Sequence, residues 1–268
     1  MSATSVRQAF RGRREALLWG AAGLAALAIA LQAIPGSGLV NPAYFPPLTE
    51  ILASLGDQLR RPEFWSALGS TVTGWLIGLG IAVVAGSLLG VLIASVPILD
   101  RMLASTVEFL RPIPSVALVP IAALLFGTTM QATLLLVVFG SFWPVLLQVI
   151  YGVRDVDRVA LETARSYRLG LVRTVARVIW PSMTPYLIVG VRLAASVALI
   201  LEITGELVIA TPGLGKLIAL AQSSAAIGTM YALVLVAALL GVIINVGTRA
   251  LERRAMFWHA SVRAEAAR

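Results

Sequence analysis

Apolar residues fall along this chain in long runs rather than in alternating stripes. Near-continuous apolar stretches of span length occupy residues 16–34, 68–94, 103–126, 132–150, 185–207 and 230–250. A helix needs about 20 apolar residues to cross some 30 Å of hydrocarbon. In lipid every backbone polar group must be satisfied within the protein, which a helix achieves alone. The pattern predicts an all-α, polytopic membrane protein with six transmembrane helices. The first stretch follows Arg7, Arg11, Arg13 and Arg14, an order that signal peptides share. Its apolar part is too long for that, and Pro35-Gly36-Ser37-Gly38 gives no convincing small-residue cleavage site, so an uncleaved helix is expected. Residues 35–65, with Pro42, Pro46, Pro47 and Pro62, read as a mixed connector. The expected organisation is a basic segment 1–15, a first helix and connector 16–64, a transmembrane core 65–252 and a tail 253–268.

Composition sharpens this picture. The chain is 59% hydrophobic and 13% charged, about half the charge of a soluble domain, so the bilayer is its medium. The net charge of +8 does not point to nucleic acid. That would need a basic face on a folded soluble domain, whereas these arginines lie between apolar runs. With the N-terminus inside, the inner segments hold Arg7, Arg11, Arg13, Arg14, Arg101, Arg154, Arg158, Arg165, Arg168, Arg173, Arg177, Arg249, Arg253, Arg254, Arg263 and Arg268; the outer ones hold only Arg60, Arg61 and Lys216. The positive-inside rule then places both termini in the cytoplasm, consistent with an even number of spans. The chain has no cysteine and a single histidine, His259, which removes thiolate chemistry and histidine-rich metal sites.

Residues 152–181 form a cytoplasmic segment that is charged yet periodic. Val159, Leu161, Ala164, Tyr167 and Leu171 fall on or near one side at helical spacing, and Asp157 is placed to cap the helix. An apolar side bordered by Glu162 and several arginines suits either a surface-lying connector or a helix that docks a partner protein.

This segment resembles the coupling-loop signature of binding-protein-dependent ABC importer permeases, Glu-Ala-Ala, three residues, Gly, then Ile-x-Leu-Pro. Here it reads Glu162-Thr163-Ala164 and Ile179-Trp180-Pro181, with the distance from glutamate to proline kept. Thr163 replaces the first alanine, and Arg168 stands where the family has glycine, the nearest glycine being Gly170. A turn at that position must then be remodelled or moved two residues along. Gly152-Val153-Arg154 with Val156-Asp157, Arg111-Pro112-Ile113-Pro114 with Pro120, Gly190-Val191-Arg192-Leu193-Ala194, and Glu206 followed by Gly213-Leu214-Gly215 resemble segments of the aliphatic-sulfonate, taurine and nitrate permeases. The likeness covers about residues 65–255.

The resemblance implies a subunit of a type I ABC importer in a bacterial inner membrane. Two ABC ATPase subunits would dock, a second copy of the permease would complete the pathway, and an extracytoplasmic substrate-binding protein would deliver a small solute, either an anion of the sulfonate, taurine or nitrate kind or a vitamin precursor. ATP and Mg would be bound by the ATPase, with no cofactor and no catalytic residue in this chain. Asp157, Leu161, Glu162, Thr163, Ala164, Tyr167, Arg168, Gly170 and Pro181 would form the ATPase-coupling element. The stretch around Lys216 is no phosphate loop: Ala210 stands where the first glycine belongs and Leu217 where a hydroxyl belongs.

Ionisable residues inside spans are costly and so are candidates for function. Arg192, Glu202 and Glu206 lie in or near the fifth stretch, and Arg111 lies with Pro114 in a proline-broken third stretch. These five are the pathway or gate candidates. The competing expectation is that Arg192 or Arg111 simply pairs with a carboxylate on a neighbouring helix, as buried charges usually do. Gly74/Gly78 and Gly86/Gly90 each permit close helix approach, for ordinary packing or a dimer face. A secondary transporter or channel using Glu202 and Glu206 is the alternative function, but it leaves the 152–181 segment unexplained. A membrane-embedded enzyme has no nucleophile–base set to work with.

Overall fold

The structure, a computed structural model, describes residues 3–38, 41 and 43–255. The tail from residue 256, with His259, Arg263 and Arg268, lies outside the described residues, as does Pro42. All regular elements among the described residues are helical: α1 (Ala3–Ala33), α2 (Leu48–Leu59), α3 (Pro62–Ser95), α4 (Pro97–Leu110), α5 (Val119–Phe126), α6 (Met130–Arg154), α7 (Arg158–Ser166), α8 (Leu171–Thr174), α9 (Trp180–Ile209), α10 (Leu214–Ser223) and α11 (Ile227–Ala255), with short 3-10 turns at Pro35–Ser37 and Ser115–Leu118 and a π turn at Val175–Ile179.

The expected six spans are not reproduced one for one. Among the described residues four helices are long and apolar enough to cross a membrane: α3, α6, the continuous run Val172–Ile209, and Ile227–Arg254. The third stretch is two helices, Pro97–Leu110 and Ser115–Phe126, bent by 82°. Arg111-Pro112-Ile113-Pro114 separates them, because Pro112 and Pro114 lack the N–H that would continue the ladder. In α1 the apolar part Leu18–Ala33 is shorter than a span. The connector and the loop before α11 each contain a helix, α2 and α10. Short polar-flanked helices of this kind are hidden in a sequence by their prolines and glycines.

Helix α6 is the centre of the fold and packs on α3 and α9. One seam of α3 consists of Thr71, Gly74, Gly78, Ala82, Gly86 and Gly90, all buried. Methyl groups on Gly86 and Gly90 would press on Val145 and Val149 of α6. The small residues thus bring α3 and α6 together within one chain, by close backbone approach. On the other side Val84, Leu88, Val242, Ile243 and Val246 face outward, as lipid-facing positions should. Helix α1 meets α2 at Gln32, whose Oε1 accepts from the Thr49 amide at 3.1 Å and so caps α2.

Candidate coupling element and solute path

Helix α7 is built as its sequence suggests at the N-terminus. The Asp157 carboxylate accepts from the Val159 amide at 2.8 Å, a capping bond that satisfies one orphan donor. Of the two options open at its C-terminus, a turn remodelled in place or one moved to Gly170, the structure takes the first. The turn stays at Arg168, which takes a left-handed φ of 52°. The Arg168 amide donates to the Arg165 carbonyl at 2.8 Å, and the Leu169 amide to the Ala164 carbonyl at 2.9 Å. This is a Schellman closure with arginine in the place that glycine usually fills.

The apolar side of α7 divides in two. Ala164 is buried and Leu161 packs on the cluster of Val145, Val149, Val156 and Met183. Val159 and Tyr167 instead point outward, 67% and 78% exposed, and Glu162, Thr163, Arg168 and Gly170 are exposed with them. The segment leading into α7 is clamped on two sides. Arg154 pairs with Asp100 of α4 at 2.5 Å, and the Tyr186 hydroxyl of α9 donates to Asp155 at 2.7 Å. Between them Val156 is buried. The segment leading into α7 is thus tied to α4 and α9 as well as to α6. Pro181 stands in the first turn of α9 just after the π turn; the wider turn accommodates the donor that proline lacks.

The four charged pathway candidates sit in four different environments. Glu206, fully buried, accepts from the Thr71 hydroxyl at 2.7 Å and from the Gly215 amide at 2.9 Å. Thr71 in turn accepts from the Leu214 amide at 2.9 Å. Glu206 thus caps α10 and ties it to α3, using the orphan N–H groups of a helix N-terminus. Gly213 and Gly215 are needed for this: a side chain on Gly213 would strike the Glu206 carboxylate, and one on Gly215 the Ile203 carbonyl. Glu202, one turn earlier, sits against Gly74 and accepts from Thr133 at 3.4 Å, while its second oxygen has no partner among the described residues. Arg192 pairs at 2.9 Å with Glu252 of α11. This is the expected pairing with a carboxylate on a neighbouring helix, and the partner lies beyond the apolar part of α11.

Arg111 and Pro114 occupy the bend between α4 and α5. Among the described residues the Arg111 side chain makes no ion pair or hydrogen bond, and the residue is exposed. It lines two cavities. One, of about 210 Å³, includes Asp100, Glu108 and Arg154; the other, of about 370 Å³, includes Ser115, Gly140, Pro144 and Gln148.

A multi-pass helical core with a short capped helix clamped between its long helices places the chain among polytopic membrane proteins. Residues 82–256 match the family described as "Binding-protein-dependent transport system inner membrane component", and the chain belongs to that family of ABC importer permeases. It is 28% identical over 229 residues to the taurine transport system permease protein TauC of Escherichia coli K12, covering 84% of this chain and 83% of the relative. With the bicarbonate transport system permease protein CmpB of Synechocystis it shares 26% over 218 residues, 77% of this chain and 76% of that one. The fold matches an inward-facing structure of the MetNI methionine ABC transporter with a TM-score of 0.61 and 18% identity, over 73% of this chain and 98% of that chain. The protein is therefore a multi-pass inner-membrane transport subunit.

Proposed function

We infer that this chain forms half of the solute path of an ATP-driven importer, with α7 as the docking point for a separate ATPase. The observation that carries this is the build of α7. A short helix capped by Asp157 and closed at Arg168 seats Ala164 and Leu161 on the core while presenting Val159, Glu162 and Tyr167 outward. The clamps to Asp100 and Tyr186 make it a lever onto α4, α6 and α9. Two ATPase subunits bind ATP and Mg, a second permease copy completes the path, and an extracytoplasmic binding protein delivers the solute. Both termini lie in the cytoplasm. Closure of the ATPases then moves the helices as rigid bodies, alternating access across the membrane. The relatives named for taurine and bicarbonate transport support a small anionic or zwitterionic solute.

The test is Glu162→Ala, together with Tyr167→Ala, in the purified complex. The expected result is loss of solute uptake, with ATP hydrolysis uncoupled or the ATPase bound more weakly, while the chain keeps its helical content. Wild-type uptake and unchanged ATPase affinity in both variants would refute the role of α7. Failure of any P-loop ATPase to co-purify with the wild-type chain would refute the importer reading itself.

A further inference from the structure

The two cavities at Arg111 are lobes of one groove. Leu147 and Tyr151, like Arg111, line both. Along α6 the groove runs past Gly140, Pro144, Leu147, Tyr151 and Arg154, positions that recur at helical spacing on one face. Fourteen residues of helix span roughly 21 Å, about two-thirds of a bilayer's hydrocarbon thickness. The lobe containing Gly140, about 370 Å³, is many times the roughly 30 Å³ that one water occupies. Its polar lining is Arg111, Ser115, Gln148 and Tyr151, with Arg111 its sole charge. The opposite lobe ends on the Arg154–Asp100 pair and also carries Glu108. An unpaired guanidinium at membrane depth is costly unless it faces water or an anion. Arg192, the other arginine among the pathway candidates, is already committed to Glu252.

We propose that the α6 groove is this chain's lining of the solute path and that Arg111 is its anion-selecting residue, holding a small oxoanion such as a sulfonate in the Gly140 lobe. The guanidinium fork matches the oxygens of such a head group. Next to it, Ser115, Gln148 and Tyr151 supply neutral hydrogen-bonding groups. The acidic residues of the other lobe, Asp100 and Glu108, repel the anion once it leaves Arg111, which favours passage over retention. Glu202 and Glu206 are then structural, turned into the α3–α9 interface. This assignment rests on the permease reading.

The chain's lack of cysteine makes Gln148→Cys a single reporter. In phosphatidylcholine nanodiscs, with the ATPase bound, labelling of the introduced thiol is compared for an anionic sulfonatoethyl and a cationic trimethylammonium-ethyl methanethiosulfonate. The anionic reagent should be favoured relative to the exposed reference Ser223→Cys. Arg111→Gln should lower that preference about five- to tenfold, as removal of one nearby charge in a partly screened site would, and Arg111→Lys should retain most of it. A groove ratio no higher than the reference, a ratio unchanged in Arg111→Gln, or no labelling by either reagent would overturn the proposal. The reference comparison needs no Arg111 variant, so it decides the matter even if those variants fail to assemble. Protection of the Gln148→Cys thiol on adding phosphatidylglycerol would assign the site to a lipid head group, and would also overturn it. A complex that forms with its ATPase but shows any of these results sinks only this proposal; no complex at all sinks the permease reading first.

Discussion

Replacing Glu206 by alanine tests the joint between α3, α9 and α10. The carboxylate accepts from Thr71 at 2.7 Å and from the Gly215 amide at 2.9 Å in a fully buried site. Alanine leaves the Gly215 N–H without a partner, at about 1–3 kcal/mol for an orphaned buried donor. Thr71 is spared because its hydroxyl lies 3.2 Å from the Ala67 carbonyl and can turn to it. The lost methylene and the cavity left by the carboxyl group add roughly 1–2 kcal/mol. The total is about 2–5 kcal/mol, or a fall of roughly 10 °C in melting temperature for a chain of this size. Glutamine should behave quite differently. Its carbonyl can accept from Gly215 while its amide donates to Thr71, whose proton then goes to Ala67. Thermal melting in detergent, followed by size-exclusion of the surviving monodisperse protein, reads both variants. A Glu206→Ala midpoint within about 2 °C of wild type, well short of the expected fall, or a Glu206→Gln midpoint as low as that of alanine, would refute the capping argument.

Three further outcomes are expected. Gly78→Ala would bring a methyl to 2.5 Å from Val137 Cγ1, whereas Gly80 has nothing within 4 Å; the first should lose about 1–3 kcal/mol by overpacking and the second gain up to about 1 kcal/mol in helix propensity, a difference of sign visible in the same melting assay. Asp157→Ala removes the α7 cap, worth about 1 kcal/mol, and should speed amide exchange at Val159 about fivefold, measured by hydrogen–deuterium exchange. Arg168→Gly should relieve a left-handed strain of about 1 kcal/mol and slow exchange at Leu169, while Arg168→Val, β-branched at the same positive φ, should accelerate it; equal rates in the two variants would contradict the closure described.

The all-α membrane architecture was legible along the chain because hydrophobicity belongs to each residue and sums over a window. The cap at Asp157 was equally legible, since a helix N-terminus is satisfied by residues two or three positions away. The break at Arg111–Pro114 was readable as a disruption, through the missing proline donors, but not as an 82° bend into two helices. Its direction is set by what α4 and α5 pack on. At Arg168 the sequence left two options open. The structure kept the turn in place, because Ala164 and Leu161 are anchored on the core and a two-residue extension of α7 would carry its end away from them.

The charges inside the spans show the same division most sharply. That Arg111, Arg192, Glu202 and Glu206 were costly in hydrocarbon, and so must each have a reason, followed from the sequence alone. Which reason applied did not. Arg192 found Glu252 across 60 residues, Glu206 found the amide of Gly215 and the hydroxyl of Thr71, and Arg111 was left facing a groove. The cost of a buried charge is a property of the side chain and its local run. Its compensation is a property of whichever helix lies opposite, and only the tertiary packing of α3, α6, α9 and α11 decides that.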